Sequence, residues 1–309
     1  MLRIQHVLFP TDRSAWSEVV FAHAARFARR HGATLHVLTV SVGAGRDEDT
    51  LVTAPAATSD DFAARLHEAA ADAVGFEVVH ASLTAPSVPR GVLDYAEQID
   101  ADLVVMATHG RRGVDHALIG SIAEGVVRRA PCPVLTVRPT AEHTETNSHR
   151  ILVPVDLSVN ARSALAHARE IAEDSGAEVH LLHVAQAFPN YGTAEAPPVS
   201  ASLSETERRE LETALAGIAG EVLGDDLPVT LHVEAGLGNP AIIVLDLAER
   251  LDIDLVVLGS HGRSGIRRFW LGSVTEKVVQ LAPCPVFTVK VFGKSMLPND
   301  VTETNESPA

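Results

Sequence analysis

Two rhythms of hydrophobic and polar positions alternate along this chain. Short continuous apolar runs at 150–155, 177–184, 228–234, 254–259 and 285–290 read as strands buried on both faces. Between them lie amphipathic stretches. Ser158 to Ser175 places Ala161, Ala164, Leu165, Ala168 and Ile171 at helical spacing and stops at Gly176. Helices are also predicted over about 203–221, opened by Ser204, over 240–250 and over Ser273 to Leu281. The first half of the chain follows the same steps. Strands alternating with helices predict an α/β fold, with parallel, doubly wound sheets of five strands and helices on both faces.

The two halves are copies. Ala101-Asp102-Leu103-Val104-Val105-Met106-Ala107-Thr108-His109-Gly110-Arg111 pairs with Ile253-Asp254-Leu255-Val256-Val257-Leu258-Gly259-Ser260-His261-Gly262-Arg263. Gly120-Ser121 and Gly272-Ser273 keep the same offset, as do the two Ala-Pro-Cys-Pro-Val segments at Ala130 and Ala282. Upstream, Pro10-Thr11-Asp12 pairs with Pro154-Val155-Asp156. Four blocks recurring in one order identify a tandem repeat. The boundaries place one domain over 1–139, a polar linker over 140–148, a second domain over 149–291 and a disordered tail over 292–309.

Composition narrows the function. Aromatics are only 4% of the residues, so the cores must be built from Val, Leu, Ile and Ala. A formal net charge of -15 argues against nucleic acid and anionic membranes as partners, because both are polyanions. It leaves room for a small anion held locally by loop amides. Cys132 and Cys284 occupy matching places and read as small buried hydrophobes; no metal-ligand spacing is present. The apolar run at the start is too short for a signal peptide and no stretch is long enough to span a bilayer, which predicts a soluble, cytoplasmic protein.

In such sheets ligands bind outside the carboxyl ends of the strands. There the chain places Asp12 and Asp156, the strand-2 ends at Val40 and Val184, and two glycine loops. The second loop runs Gly259-Ser260-His261-Gly262, nine residues, then Gly272-Ser273-Val274-Thr275. Glycines let main-chain amides approach a phosphate, and Ser273 begins a helix whose free N–H groups favour an anion. Ser273 and Thr275 add hydroxyl donors, and Arg263, Arg267 and Arg268 add positive charge. The loop is neither a Walker loop nor a dinucleotide Gly-x-Gly-x-x-Gly. The plainer reading is that the glycines end a strand and Ser273 caps a helix; Asp12 and Asp156 can likewise be helix-capping carboxylates. His109 and His261 lack a partner nucleophile or carboxylate nearby in sequence and read as backbone-positioning residues, so no catalytic residue and no metal ligand is assigned.

Gly-x-x-Gly, nine residues, then Gly-Ser resembles the ATP-binding signature of the universal stress protein family. The strand-end Pro-x-Asp, Gly238-Asn239-Pro240 and the closing Pro-Cys-Pro-Val strand look like that family too. The resemblance covers about residues 3–138 and 149–290. It implies Rossmann-like domains that bind ATP, with Mg²⁺ as a candidate companion. It further implies pairing through the last strand, here Val134–Val137 against Val286–Val289 within one chain, with room for a further homodimer and a protein partner that reads the nucleotide state. The implied contacts in the second half are Pro154, Val155, Asp156, Val184, Gly259, Ser260, His261, Gly262, Arg263, Gly272, Ser273, Val274 and Thr275. In the first half they are Pro10, Thr11, Asp12, Val40, Thr108, His109, Gly110, Arg111, Gly120, Ser121 and Ile122. The first half departs from the pattern: Ala107 replaces a glycine, Ala123 stands where Thr275 stands, and Ser87-Val88-Pro89 replaces Gly-x-Pro. The second site is therefore expected to bind more tightly. Polar inserts at 41–60 and 187–203 read either as surface loops or as lids over the nucleotide. A slow ATP hydrolase and a module that works by protein contacts alone are the alternative functions; the absence of a lysine in the glycine loop counts against the first, and the complete second motif against the second.

Overall fold

The computed structural model describes residues 2–14, 16–43, 76–108, 120–138, 149–186, 203–260, 271–290 and 293–297. The first half contains β1 (His6–Pro10), α1 (Trp16–His31), β2 (Thr34–Val42), β3 (Val78–Ala85), α2 (Val88–Gln98), β4 (Leu103–Ala107), α3 (Ser121–Arg129) and β5 (Val134–Val137). The second contains β6 (Arg150–Pro154), α4 (Val159–Ser175), β7 (Glu178–Gln186), α5 (Glu205–Leu223), β8 (Val229–Gly236), α6 (Ala241–Arg250), β9 (Leu255–Gly259), α7 (Ser273–Leu281) and β10 (Val286–Val289).

The ten strands form one sheet in the order β3-β2-β1-β4-β5-β10-β9-β6-β7-β8. Within each half all pairings are parallel. Among the described residues the one antiparallel pairing joins the halves, with Val286 opposite Thr136, Phe287 opposite Leu135 and Thr288 opposite Val134. Leu135 and Phe287 are equivalent positions of the repeat, so the local two-fold axis passes between them.

Alternate residues of each strand feed opposite faces, as the pleat requires. Val7 and Phe9 point into one core with α1, α4 and α5; Leu8 points into the other with α2, α3, α6 and α7. Each core runs without a break through both halves. Phe287, fully buried, sits in the first of them where the halves meet. Both cysteines are buried at the starts of the joining strands, and burial pushes each thiol up to about 12, so they serve as packing groups.

The duplicated Ala/Ile-Asp-Leu-Val-Val motif also has a structural reason. Asp102 Oδ2 accepts the main-chain N–H groups of Gln5 (2.7 Å) and His6 (2.9 Å), pinning the start of β1 beside β4. Asp254 does the same for His149 (2.8 Å) and Arg150 (2.9 Å). Across the junction, Lys290 donates to the carbonyl of Val127 near the end of α3, and Arg138, its repeat equivalent, donates to Leu281 at the end of α7 (3.5 Å). Each half thus supplies a cation to the carboxyl end of a helix in the other, where the helix dipole favours it.

Two joining-strand threonines differ. Thr136 Oγ1 donates to the Val286 carbonyl at 3.2 Å, whereas Thr288 Oγ1 is buried with no hydrogen-bond partner among the described residues. An unsatisfied buried hydroxyl costs about 1 kcal/mol or more. Thr288→Val is therefore expected to raise stability by about 1 kcal/mol, and Thr136→Val to lower it by about 1 kcal/mol. Urea denaturation of the two variants checks this; a loss of stability in Thr288→Val contradicts it.

One boundary read from the sequence is corrected. Residues 293–297, placed in a disordered tail, pack against the protein: Met296 is fully buried and Leu297 nearly so. Both are apolar anchors inside an otherwise polar stretch, and their burial outweighs its composition.

Candidate nucleotide site

β1 and β4, and equally β6 and β9, are neighbours at the point where strand order reverses. The crevice between their carboxyl ends is where a doubly wound sheet accepts a ligand. Asp12 and Asp156 stand two residues past β1 and β6, and the glycine loops leave β4 and β9.

The turn after each aspartate is held in the same unusual way. Asp156 Oδ1 accepts from Ser158 Oγ (2.5 Å) and Ser158 N (3.1 Å). Asp12 Oδ1 accepts from Ser14 N (2.9 Å) and Ser17 Oγ (3.3 Å). The intervening residues, Arg13 and Leu157, have φ of 59° and 60°. A non-glycine residue in that region costs about 1 kcal/mol, and leucine has no side-chain hydrogen bond to offset it. Two copies with diverged side chains keep this strained turn. In the second half it holds the aspartate against Ser158, the residue that opens α4.

Val155 is fixed on both sides. Its N–H donates to the Leu182 carbonyl (2.8 Å), its carbonyl accepts from His183 Nδ1 (2.9 Å), and its side chain is buried. These bonds anchor the chain just before Asp156. Sequence reasoning missed His183, whose first-half counterpart is Thr39, so no repeated histidine marked it. Thr11, the counterpart of Val155, bonds Leu38 through its N–H (2.9 Å) and accepts the N–H of Arg13 at its hydroxyl (3.0 Å). Pro10 and Pro154 end their strands.

Val40 and Val184 lie inside β2 and β7, not beyond their ends, because pairing with β3 and β8 continues for two more residues. They are half-buried, and the floor beneath them differs between halves. A Cβ on Gly91 would sit 2.7 Å from Val40 Cγ1 and from Leu83 Cδ1. At the corresponding place of the second half Ile243 occupies the helix position, and it is the strand residue, Gly236, that has to lack a Cβ, since one would collide with Ile243 Cδ1. Bulk removed from the helix in one copy is removed from the strand in the other. This exchange was not visible without knowing which residues face each other.

Each glycine loop is closed at its base. Gly272 N–H donates to the Ser260 carbonyl and Gly120 N–H to the Thr108 carbonyl, both at 2.9 Å. Ser260 and Thr108 are buried and donate their own N–H groups to Val289 (2.8 Å) and Val137 (3.0 Å). The chain is thereby returned to the crevice at the first turn of α7 and of α3. Gly272 and Gly120 occupy the N-cap positions, extended and without a side-chain cap. By contrast α5 opens with a Ser204–Glu207 capping box and α2 with a Ser87 cap. Ser273, Ser121 and Ile122 are exposed at these open ends, and Val274 is half-buried. Uncapped N–H groups at a helix start are an anion-binding arrangement.

Thr275 was expected to offer its hydroxyl to a phosphate. Instead it is buried, and Oγ1 donates to the Gly259 carbonyl at 2.8 Å, tying α7 to the end of β9. Ala123, its buried first-half counterpart, cannot make that tie. The Gly-x-Pro difference is smaller than the sequence implied. Asn239 Oδ1 accepts the Ala241 N–H (2.9 Å), and Ser87, at the matching register, accepts the Arg90 N–H (3.4 Å), so both helices start with a capped turn. His109, Gly110, Arg111, His261, Gly262 and Arg263 lie outside the described residues, as do Arg267, Arg268 and nearly all of both polar inserts.

The profile of the universal stress protein family matches residues 3–138 and 147–290. The chain belongs to the universal stress protein family. A universal stress protein of Mycolicibacterium smegmatis is 28% identical over 296 residues, covering 92% of this chain and 96% of that protein. One from Methanocaldococcus jannaschii is 34% identical over 144 residues, covering 46% of this chain and 81% of that protein. The crystal structure of a putative universal stress protein from Pseudomonas aeruginosa shares the fold with a TM-score of 0.65 at 20% identity, covering 93% of each chain. Among the described residues of this tandem universal stress protein, no helix is long and apolar enough to cross a membrane.

Proposed function

We propose that this universal stress protein binds ATP in the crevices at the carboxyl ends of its parallel strands, and that a protein partner reads the occupancy. The observation that carries the reading is the open amino end of α7, delivered to the crevice by the Gly272–Ser260 bond and left without a side-chain cap. The first-turn amides of α7 and the Ser273 hydroxyl suit phosphate oxygens, Asp156 suits a ribose or base donor, and Val184 suits the flat face of adenine. A companion Mg²⁺ would be held chiefly by the phosphates, as that ion prefers.

The second half is the stronger site in this reading. The Thr275–Gly259 bond fixes the amino end of α7 before a ligand arrives, and α3 lacks it. One such bond is worth about 1 kcal/mol, or roughly fivefold in affinity. The test is mass spectrometry of small molecules released from the purified chain, backed by titration with added ATP. The expected result is an adenine nucleotide, ATP foremost. A chain that releases no nucleotide and takes up none from millimolar ATP contradicts the proposal.

A further inference from the structure

Past β10, residues 293–297 cross back onto the first half. Lys294 N–H donates to the Pro131 carbonyl at 2.7 Å. Its Nζ lies 2.7 Å from Asp100 Oδ2 and from Asp102 Oδ1, and donates to the Asp100 carbonyl at 2.7 Å. Asp102 is the buried carboxylate that also pins β1. One residue on, the chain turns inward. The Met296 carbonyl accepts the Arg3 N–H at 2.8 Å, and the Met296 N–H points at His167 Nε2 at 3.4 Å. The Met296 side chain is fully buried. This short segment therefore touches the first half at Arg3, Asp100, Asp102 and Pro131, and the second half at α4.

On the second-half side this strap meets His167, whose charge state decides that contact by geometry alone. It is itself fully buried, beneath the Phe287 ring at 6.2 Å. Nδ1 lies 2.7 Å from the Ser163 carbonyl, which has no proton to give, so Nδ1 carries the hydrogen. Nε2 is then the acceptor for Met296 N–H. A second proton has only Nε2 to go to, and there it would face another N–H.

We infer that residues 293–297 are a proton-released latch: with His167 neutral they clasp the two halves together, and protonation at Nε2 expels Met296. The charged groups nearby do not substitute for this. Glu170, one turn along α4, favours the protonated ring. Lys294 is committed to Asp100 and Asp102, and β10 presents the uncharged Phe287 ring. Burial keeps His167 neutral down to about 4 when the strap is closed. Once the strap opens and water reaches the ring, its ordinary value of about 6.5 applies. The ratio of open to closed strap then rises about 30-fold between pH 7.5 and pH 5.

Thiol labelling of the full chain reads this directly. In a Met296→Cys variant the new thiol is covered when the strap is closed. Its labelling rate by a disulfide reagent active in mild acid, divided by the rate for a free strap peptide, reports opening. Cys132 follows Pro131 beneath the strap and is replaced by Ala in this background, and the buried Cys284 reports global unfolding in the same sample. The expected result is an opening ratio about 30-fold higher at pH 5 than at pH 7.5, with Cys284 unlabelled. In a His167→Gln background, which keeps an acceptor but does not titrate, the pH effect should vanish. Adding Lys294→Ala should raise opening at both pH values and leave their ratio unchanged. The inference is overturned by a pH effect that survives His167→Gln, by no pH effect at all, or by labelling of Cys284 in step with position 296.

Discussion

Phe287→Ala is expected to lower folding stability by about 4 kcal/mol, a large fraction of what a protein of this kind has to lose. Phe287 is fully buried on the local two-fold, opposite Leu135, its equivalent in the repeat. Its ring packs in the core that α1 supplies from one half and α4 and α5 from the other. The joining strands are only four residues each, so their ladder contributes little without the side chains behind it. Removing the ring leaves a cavity in the one place where both halves need packing, and the surrounding sheet cannot collapse to fill it. Leu237→Ala is the matched control, since Leu237 is 49% exposed and its truncation should stay within about 0.5 kcal/mol. Guanidinium denaturation followed by circular dichroism compares them. Similar midpoints for the two variants contradict a shared core.

The second large effect is acid destabilisation between pH 6.5 and 4. Burial holds His167 neutral down to about 4, and His36, hydrogen-bonded to Tyr95 (3.2 Å) and to His6 (3.3 Å), is lowered to about 4 chiefly by burial and secondarily by His6. In the unfolded chain both titrate near 6.5. Within that window the unfolded state binds more protons, so stability is complete above pH 6.5 and is lost as pH falls towards 4. For the fully buried His167 the loss approaches about 3 kcal/mol; His36 adds to it in the same direction. His167→Gln should flatten the dependence of stability on pH across that window. An unchanged slope would show that other groups drive the acid transition.

The fold was legible because the repeat made it so. Apolar runs placed the five strands of the second half within about two residues, and equivalence of Val134–Val137 with Val286–Val289 pointed to the strands that join. Strand ends were less visible: β7 and β8 run to Gln186 and Gly236, past the last strongly apolar residue, because main-chain pairing does not need an apolar side chain. At the site, glycine spacing located the open helix ends, and Asp12 and Asp156 were found from their places after strands. What the sequence hid were relations across space. Thr275 reads as a ligand hydroxyl until Gly259 is seen beside it. The bonds that fix Val155, to Leu182 and His183, join residues far apart in the chain. The strap is polar in composition, and only the burial of Met296 reveals it.

The proposal of two unequal ATP sites, with the stronger at Gly272, is tested by calorimetric titration of ATP into the full chain and into Gly272→Val and Gly120→Val variants. At φ −61° Gly272 and at φ −62° Gly120 have backbones open to any residue, so the added side chain reports on space at the helix end, not on strain. Gly272→Val is expected to remove the tighter binding event and Gly120→Val the weaker one, the two differing roughly fivefold in the parent chain. Equal sites, or a Gly272→Val variant that binds ATP as the parent does, would contradict it.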